Sequence, residues 1–215
     1  MDFTFIIDKL PVFALGAVMT IELTVLSIIF GSILGLIAAL AKISKKKPLV
    51  YAASFYTWII RGTPLLVQLY FIYYGLPKVG IELDPFPAAV IGMSICGGAY
   101  ITEIIRAGIE SIDKGQMEAA RSLGMSYLQA MRRVIIPQAL RRMLPPMGNE
   151  FIALLKDSSL VSTIAMVELM RTATQINAAT FKSIEAFFAA GVFYLFLTTI
   201  FTVIFNRLEH KLSIN

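Results

Sequence analysis

Seven ionisable residues stand inside otherwise apolar stretches of this sequence: Glu22, Arg61, Glu103, Arg106, Glu150, Lys156 and Asp157. An ionised side chain at the centre of a membrane helix costs roughly 2.5 to 3.5 kcal/mol, so each must face protein or a water-filled cavity. Two pairings would make some of them purely architectural. Glu103 and Arg106 are i, i+3 neighbours on a helix, and Arg61 could answer Glu22 across helices. Glu150 and Asp157 differ from these because they lie seven residues apart, two turns along one helical face. At a rise of about 1.5 Å per residue, Asp157 falls about 16 Å beyond Pro146, near the membrane midplane, with Glu150 nearer the cytoplasm. Lys156 points about 100° away from Asp157 on the same helix and neutralises it imperfectly. Two carboxylates aimed into a bundle interior suit a cationic ligand group; the alternative is that neighbouring helices satisfy them. Glu103, Glu150 and Asp157 outnumber Lys156 and Arg106 among the inward residues, which favours a cation.

A second chemical feature interrupts an apolar run at Arg61-Gly62-Thr63-Pro64. Pro64 removes a backbone bond and Gly62 loosens the helix, so freed carbonyls must find partners in protein or a cavity. Broken helices near the midplane are where transporters bind substrate. Below the break, Gln68, Tyr70, Tyr73 and Tyr74 offer hydrogen-bonding and aromatic surface, although Tyr73 and Tyr74 also suit an interfacial belt. Catalytic signatures are missing: there is no GxxxxGK[ST] phosphate loop, no HExxH, no GxSxG and no Cys/His dyad. With one cysteine, Cys96, and one histidine, His210, neither a disulfide nor a structural zinc site is expected. The chain is not expected to hydrolyse ATP by itself.

The elements that position these residues follow from composition. Hydrophobic residues make up 57% of the 215 and charged residues 15%, with a net charge of +5. The mean hydropathy is +0.75, which marks an integral membrane protein. The amino-terminal stretch lacks the basic region of a signal peptide, so the first apolar span is expected to be retained. Since a crossing needs about 20 mostly apolar residues, the sequence predicts five transmembrane helices at 12–41, 49–74, 86–109, 147–170 and 186–205. The fourth is the most polar of the five, carrying Glu150, Lys156, Asp157 and several Ser and Thr. Orientation follows Lys and Arg. Lys42, Lys45, Lys46, Lys47, Lys114, Arg121, Arg132, Arg133, Arg141, Arg142, Arg207 and Lys211 fall on one side; Lys9, Lys78, Arg171 and Lys182 fall on the other. The amino terminus is therefore expected outside and the carboxy terminus in the cytoplasm, which requires the polar fourth span. Anionic lipid on the cytoplasmic leaflet accounts for the basic balance without invoking nucleic acid. No repeat or linker divides the chain, so residues 1–215 read as one domain. Gly31 and Gly35 form a GxxxG that permits close helix approach, and Gly92, Cys96, Ala99 and Glu103 share a helical face suited to packing against protein.

Between the third and fourth spans, residues 111–144 form a basic loop. Good helix formers run over 116–123, and Gly124 stands where a left-handed residue would end them. Ser126 with Gln129 then makes a capping box for a second helix. A short, capped, charged helix on one face of a hydrophobic protein suits a soluble partner.

These residues carry a resemblance. Glu118-Ala119-Ala120 with Gly124 and the Ile136-Pro137 step resembles the EAA loop of ABC-importer membrane subunits. Arg61-Gly-Thr-Pro-Leu-Leu-Val-Gln68, Ala99-Tyr-Ile-Thr-Glu-Ile-Ile-Arg106 and Leu155-Lys-Asp-Ser-Ser-Leu-Val161 are similar to the polar amino-acid permease branch, which includes histidine, arginine and glutamine permeases. Isoleucine at 136, where many members have leucine, is a slight departure. The resemblance covers nearly the whole chain and implies an all-α ABC importer permease fold in a prokaryotic inner membrane. It implies a pathway built with a second membrane subunit, identical or not. ATP and magnesium would be held by a separate ATPase, and an external binding protein would deliver an amino acid. It implies that Glu118, Ala119, Ala120, Arg121 and Gly124 contact that ATPase, small Ala119 and Ala120 letting the helix seat closely. The residues expected to meet substrate are Glu103, Glu150, Asp157, Gln68 and Tyr100, with Lys156 a candidate for its carboxylate. Arginine, lysine or histidine is the first choice of cargo and glutamine or another polar amino acid the second. A standalone secondary transporter is less consistent, because five helices leave no room for the usual internal repeats.

Overall fold

The computed structural model describes residues 2–213, and no strand occurs among them. Helices are what a chain in hydrocarbon must form, since every backbone group is then satisfied within its own segment. The elements are α1 (Phe3–Lys42), α2 (Lys47–Arg61), α3 (Leu65–Tyr70), α4 (Pro85–Glu110), α5 (Lys114–Ser122), α6 (Tyr127–Ala130), α7 (Ile136–Asp157), α8 (Leu169–Thr180) and α9 (Ser183–Ser213). Three helical stretches are long and apolar enough to cross a membrane: Thr4–Lys42, Pro85–Glu110 and Ser183–Lys211.

α1 and α4 form the spine. A Cβ on Gly31 would lie 3.2 Å from the Gly98 nitrogen, and one on Gly35 would lie 2.7 Å from the Ile101 side chain. The GxxxG of α1 thus brings two backbones together as its small residues allow. The opposite side of α4 buries Gly92, Cys96 and Ala99, and a core of Leu23, Leu69, Met93, Cys96, Leu154 and Val161 joins α1, α3, α4 and α7. Phe13, Phe151, Leu155, Leu169 and Ala189 knit α1, α7, α8 and α9 into a second core.

The second and fourth predicted spans are both interrupted. α2 stops at Gly62, and α3 resumes after Pro64. The fourth span is not the continuous helix expected over 147–170: α7 ends at Asp157 and tightens into a 3-10 turn over Ser158–Ile164. Ser158 donates to the Leu155 carbonyl at 2.8 Å, Ser162 to Ser159 at 2.7 Å and Thr163 to Leu160 at 2.6 Å. Hydroxyls that bond three residues back favour that narrower turn. Ala165 then adopts a left-handed φ of 64°, and the chain re-enters helix at α8. Two wide π turns, Phe71–Gly75 and Met131–Ile135, each precede a proline by two residues, Pro77 and Pro137. A proline ring cannot accept the carbonyl four residues back, and the turn before it widens.

α8 is held by a carboxylate absent from the seven in-span charges picked out by sequence. Glu168 is fully buried and caps α8, accepting from the Met170 and Arg171 amides at 2.8 and 2.7 Å. It also accepts from the Tyr194 hydroxyl of α9 at 2.7 Å. The helix N-terminus meets this charge without a cation.

Candidate functional site

The two interruptions lie side by side. Gly62 and Pro64 from the first, and Glu150 and Asp157 from the second, line one cavity of about 520 Å³ together with Arg61 and Tyr100. A second cavity of about 550 Å³ continues toward the end of the bundle where α4 and α7 meet the 111–144 loop, reaching Glu103, Ser111 and Arg142. Arg61, Tyr100 and Glu150 line both and form the neck between them. α2 ends and α3 begins at the first cavity, so the partial charges of the two helix ends oppose each other there and the carboxylates set its sign. Neither Glu150 nor Asp157 makes an ion pair or hydrogen bond among the described residues.

Glu103 is in the opposite condition. Lys42 contacts one of its oxygens and also donates to Thr57 Oγ1 at 2.9 Å. Arg106 meets the other oxygen with Nε at 2.9 Å and Nη2 at 2.8 Å, and turns Nη1 to Glu110. The i, i+3 pairing expected from sequence is present, with Lys42 added from α1. The Arg61–Glu22 pairing is not. Glu22 points outward from α1, on the side away from buried Thr20, Leu23 and Thr24. Arg61 instead lies over the Tyr100 ring, 5.3 Å from its centre, with Nη1 4.0 Å from Glu103.

Two further expectations change. Gln68 donates to the Ile60 carbonyl at 2.8 Å and to the Thr63 carbonyl at 3.0 Å, so its amide satisfies groups freed by the break. It lines an apolar crevice with Ile59, Val67 and Ile95, outside the cavity that holds Glu150 and Asp157. Lys156 is exposed and lines neither cavity. The cation that does reach the acidic pair's cavity is Arg61, which sequence reasoning had left as architecture; its place beside Gly62 and Pro64 was the available signal.

The 111–144 loop is bolted to the same two helices. Ile112, Ile135, Ala139 and Met143 make a small core that takes in Met117 of α5 and Ile105 of α4. α5 begins at Asp113, whose side chain accepts from the Gly115 amide at 2.7 Å. It ends in a Schellman motif, with the Gly124 amide on the Arg121 carbonyl at 3.0 Å and the Met125 amide on Ala120 at 3.2 Å. Gly124 has φ of 83°, where a side chain would be strained. The Ser126–Gln129 capping box is formed in both directions. Glu118, Ala119 and Arg121 are exposed, but Ala120 is buried against the loop itself and offers no surface. Leu123, Tyr127 and Leu128 are exposed at the tip, an apolar surface that the sequence alone did not mark, because the short α6 shows its capping box but not which side is covered.

A helical membrane protein with two broken segments meeting at a charged cavity, and a capped loop fixed to the cavity-lining helices, has the architecture of a permease. The family described as binding-protein-dependent transport system inner membrane component matches residues 31–214. The chain is 43% identical to the arginine transport system permease protein ArtQ of Bacillus subtilis, over all of this chain and 99% of that one. It is 46% identical to the L-cystine transport system permease protein TcyB of the same organism, over 94% and 87%. It is 41% identical to the glutamine transport system permease protein GlnP of Escherichia coli, over 99% and 98%. A crystal structure of an amino acid ABC transporter with histidines superposes with a TM-score of 0.94 at 44% identity, covering 98% of this chain and 99% of that one. An inward-facing MetNI methionine transporter shares the fold, with a TM-score of 0.82 at 20% identity over 96% and 99%. The chain belongs to the binding-protein-dependent transport system inner membrane component family. It is a permease subunit of an amino-acid ABC importer, a transport component whose ATPase is a separate subunit.

Proposed function

We propose that this subunit carries a cationic amino acid, arginine, lysine or histidine, through a pathway it forms with a second membrane subunit. The observation that carries the reading is the pair Glu150 and Asp157, open to one cavity and without an ion pair or hydrogen bond among the described residues. A guanidinium or ammonium group would meet one of these carboxylates, which are about 10 Å apart along the helix, through charge-assisted hydrogen bonds, while the other favours the cation through space; a neutral side chain would forgo that bond at a cost of about 1 to 3 kcal/mol. Tyr100 adds an aromatic face at the neck, a surface that attracts cations.

In this reading the chain crosses the inner membrane five times, two crossings being broken helices, with its amino terminus outside. An extracytoplasmic binding protein delivers the amino acid. Glu118, Ala119, Arg121 and the exposed Leu123 and Leu128 dock on the ATPase, with Gly124 setting the end of α5. ATP and magnesium are held by that partner. Glutamine or another polar amino acid is the second reading, favoured by Arg61, which shares the cavity and halves its net negative charge.

Titration of the purified complex with each of the twenty amino acids separates these readings. Arginine and lysine are expected to bind and to lose affinity in Glu150→Gln and Asp157→Asn. Binding of glutamine alone, untouched by both variants, would overturn the cationic assignment.

A further inference from the structure

Arg61 belongs to no saturated pair. In the cluster at the neck, Lys42, Arg61 and Arg106 face two carboxylates, Glu103 and Glu110. Lys42 and Arg106 occupy the two oxygens of Glu103, and Arg106 also takes Glu110. Arg61 is the surplus cation, held only at 4.0 Å from Glu103 and by the Tyr100 ring, with 43% of its side chain exposed. Across the neck lie Glu150 and Asp157, neither in an ion pair among the described residues, and Arg61 lines their cavity as well as the one beyond. It also sits at the end of α2, beside Gly62 and Pro64, where the helix gives way.

We infer that Arg61 is an internal competitor for the acidic pair: it exchanges between its place on Tyr100 and Glu103 and a place on Glu150, and a bound cationic amino acid holds it in the first. This rests on the assignment of Glu150 and Asp157 as the substrate's partners. While Arg61 holds Glu150, the cavity carries one unpaired carboxylate instead of two. The same swing helps release, because Arg61 re-enters from the neck, on the side of the second cavity, as the substrate leaves. Only a side chain that competes with a guanidinium for carboxylate oxygens displaces it, so Arg61 also discriminates against neutral cargo. Apparent affinity is lowered by the fraction of time Arg61 holds the site.

The sign of a mutational effect tests this. L-arginine is titrated calorimetrically into the intact permease–ATPase complex in lipid nanodiscs, for the parent, Arg61→Gln and Arg61→Lys. Removing the competitor in Arg61→Gln is expected to tighten arginine binding roughly three- to tenfold, as lifting such an occupancy does, and to slow uptake at saturating arginine. Arg61→Lys, which keeps charge but loses the planar fork and its stacking, is expected to fall between. Weaker or unchanged binding in both variants, with the parent binding arginine normally, would overturn the competitor role and leave the acidic site standing; that is the outcome if Arg61 clamps the substrate's carboxylate. A parent complex that binds no cationic amino acid overturns both.

Discussion

The Glu103 cluster and the Glu150–Asp157 cavity hold the same chemistry on facing helices and differ in how completely they are paired. Glu103 has a cation on each oxygen, supplied by α1 and by its own helix, and so ties α1 to α4. Glu150 and Asp157 have none among the described residues and open onto a cavity at the break between α2 and α3. A carboxylate whose partners come from the same chain is spent on holding helices together. One left open on a cavity keeps its binding capacity for something that passes through.

The comparison breaks first at Lys42. Lys42→Met leaves one oxygen of Glu103 with only Arg61 at 4.0 Å and also removes the bond to Thr57, and is expected to cost about 1 to 3 kcal/mol. Thermal unfolding of the purified complex should show a large drop in Tm, while preference among amino acids is unchanged. A shift in preference with no loss of stability would reverse the roles assigned to the two clusters. Next in size are Glu150→Gln and Asp157→Asn, which are expected to raise KM for arginine by roughly 5- to 100-fold, the equivalent of about 1 to 3 kcal/mol. Their Tm should stay close to that of the parent, since no intramolecular pair is lost.

Coupling sharpens the contrast from outside the cavity. Gly124→Asp puts a side chain into the left-handed region and a negative charge at the C-terminal end of α5, where the helix dipole disfavours it by about 0.3 to 1 kcal/mol. Glu118→Lys combined with Ala119→Asp puts the wrong charge on the docking face. Both are expected to lower amino-acid-stimulated ATP hydrolysis sharply with normal membrane expression; unchanged stimulation would remove the loop from the coupling path. The smallest effect belongs to an exposed pair. The hydrogen bond from Lys182 holds the Asp2 carboxyl below its ordinary value, with the Phe5 amide adding to this. A lowered folded-state value means its stabilisation is present above the ordinary carboxylate value of 3.8 and is lost as pH falls through the lower folded one. Asp2→Asn should therefore change Tm only slightly at pH 7 and not at all in strong acid.

Much of this was legible in the residues themselves. Hydropathy marked the long helices, Arg61-Gly62-Thr63-Pro64 marked the first break, and Gly124 and the Ser126–Gln129 box marked the loop, because each depends on local chemistry within a few residues. The seven-residue spacing placed Glu150 and Asp157 on one face for the same reason: helical periodicity is local. Tertiary structure alone decided which charges would be satisfied. Lys42 reaches Glu103 from 61 positions away, Gln68 turns to the carbonyls of its own broken helix, and Arg61 replaces Lys156 at the acidic cavity; these outcomes depend on how helices cross. The second break escaped notice because the hydroxyls of Ser158, Ser162 and Thr163 read equally well as a polar stripe of a continuous helix. Sequence therefore determined which groups this permease carries and at what spacing along each helix. Packing determined their partners, since the distance between helices is set by uncharged residues such as Gly31 and Gly98, which have no side chain to hold the backbones apart.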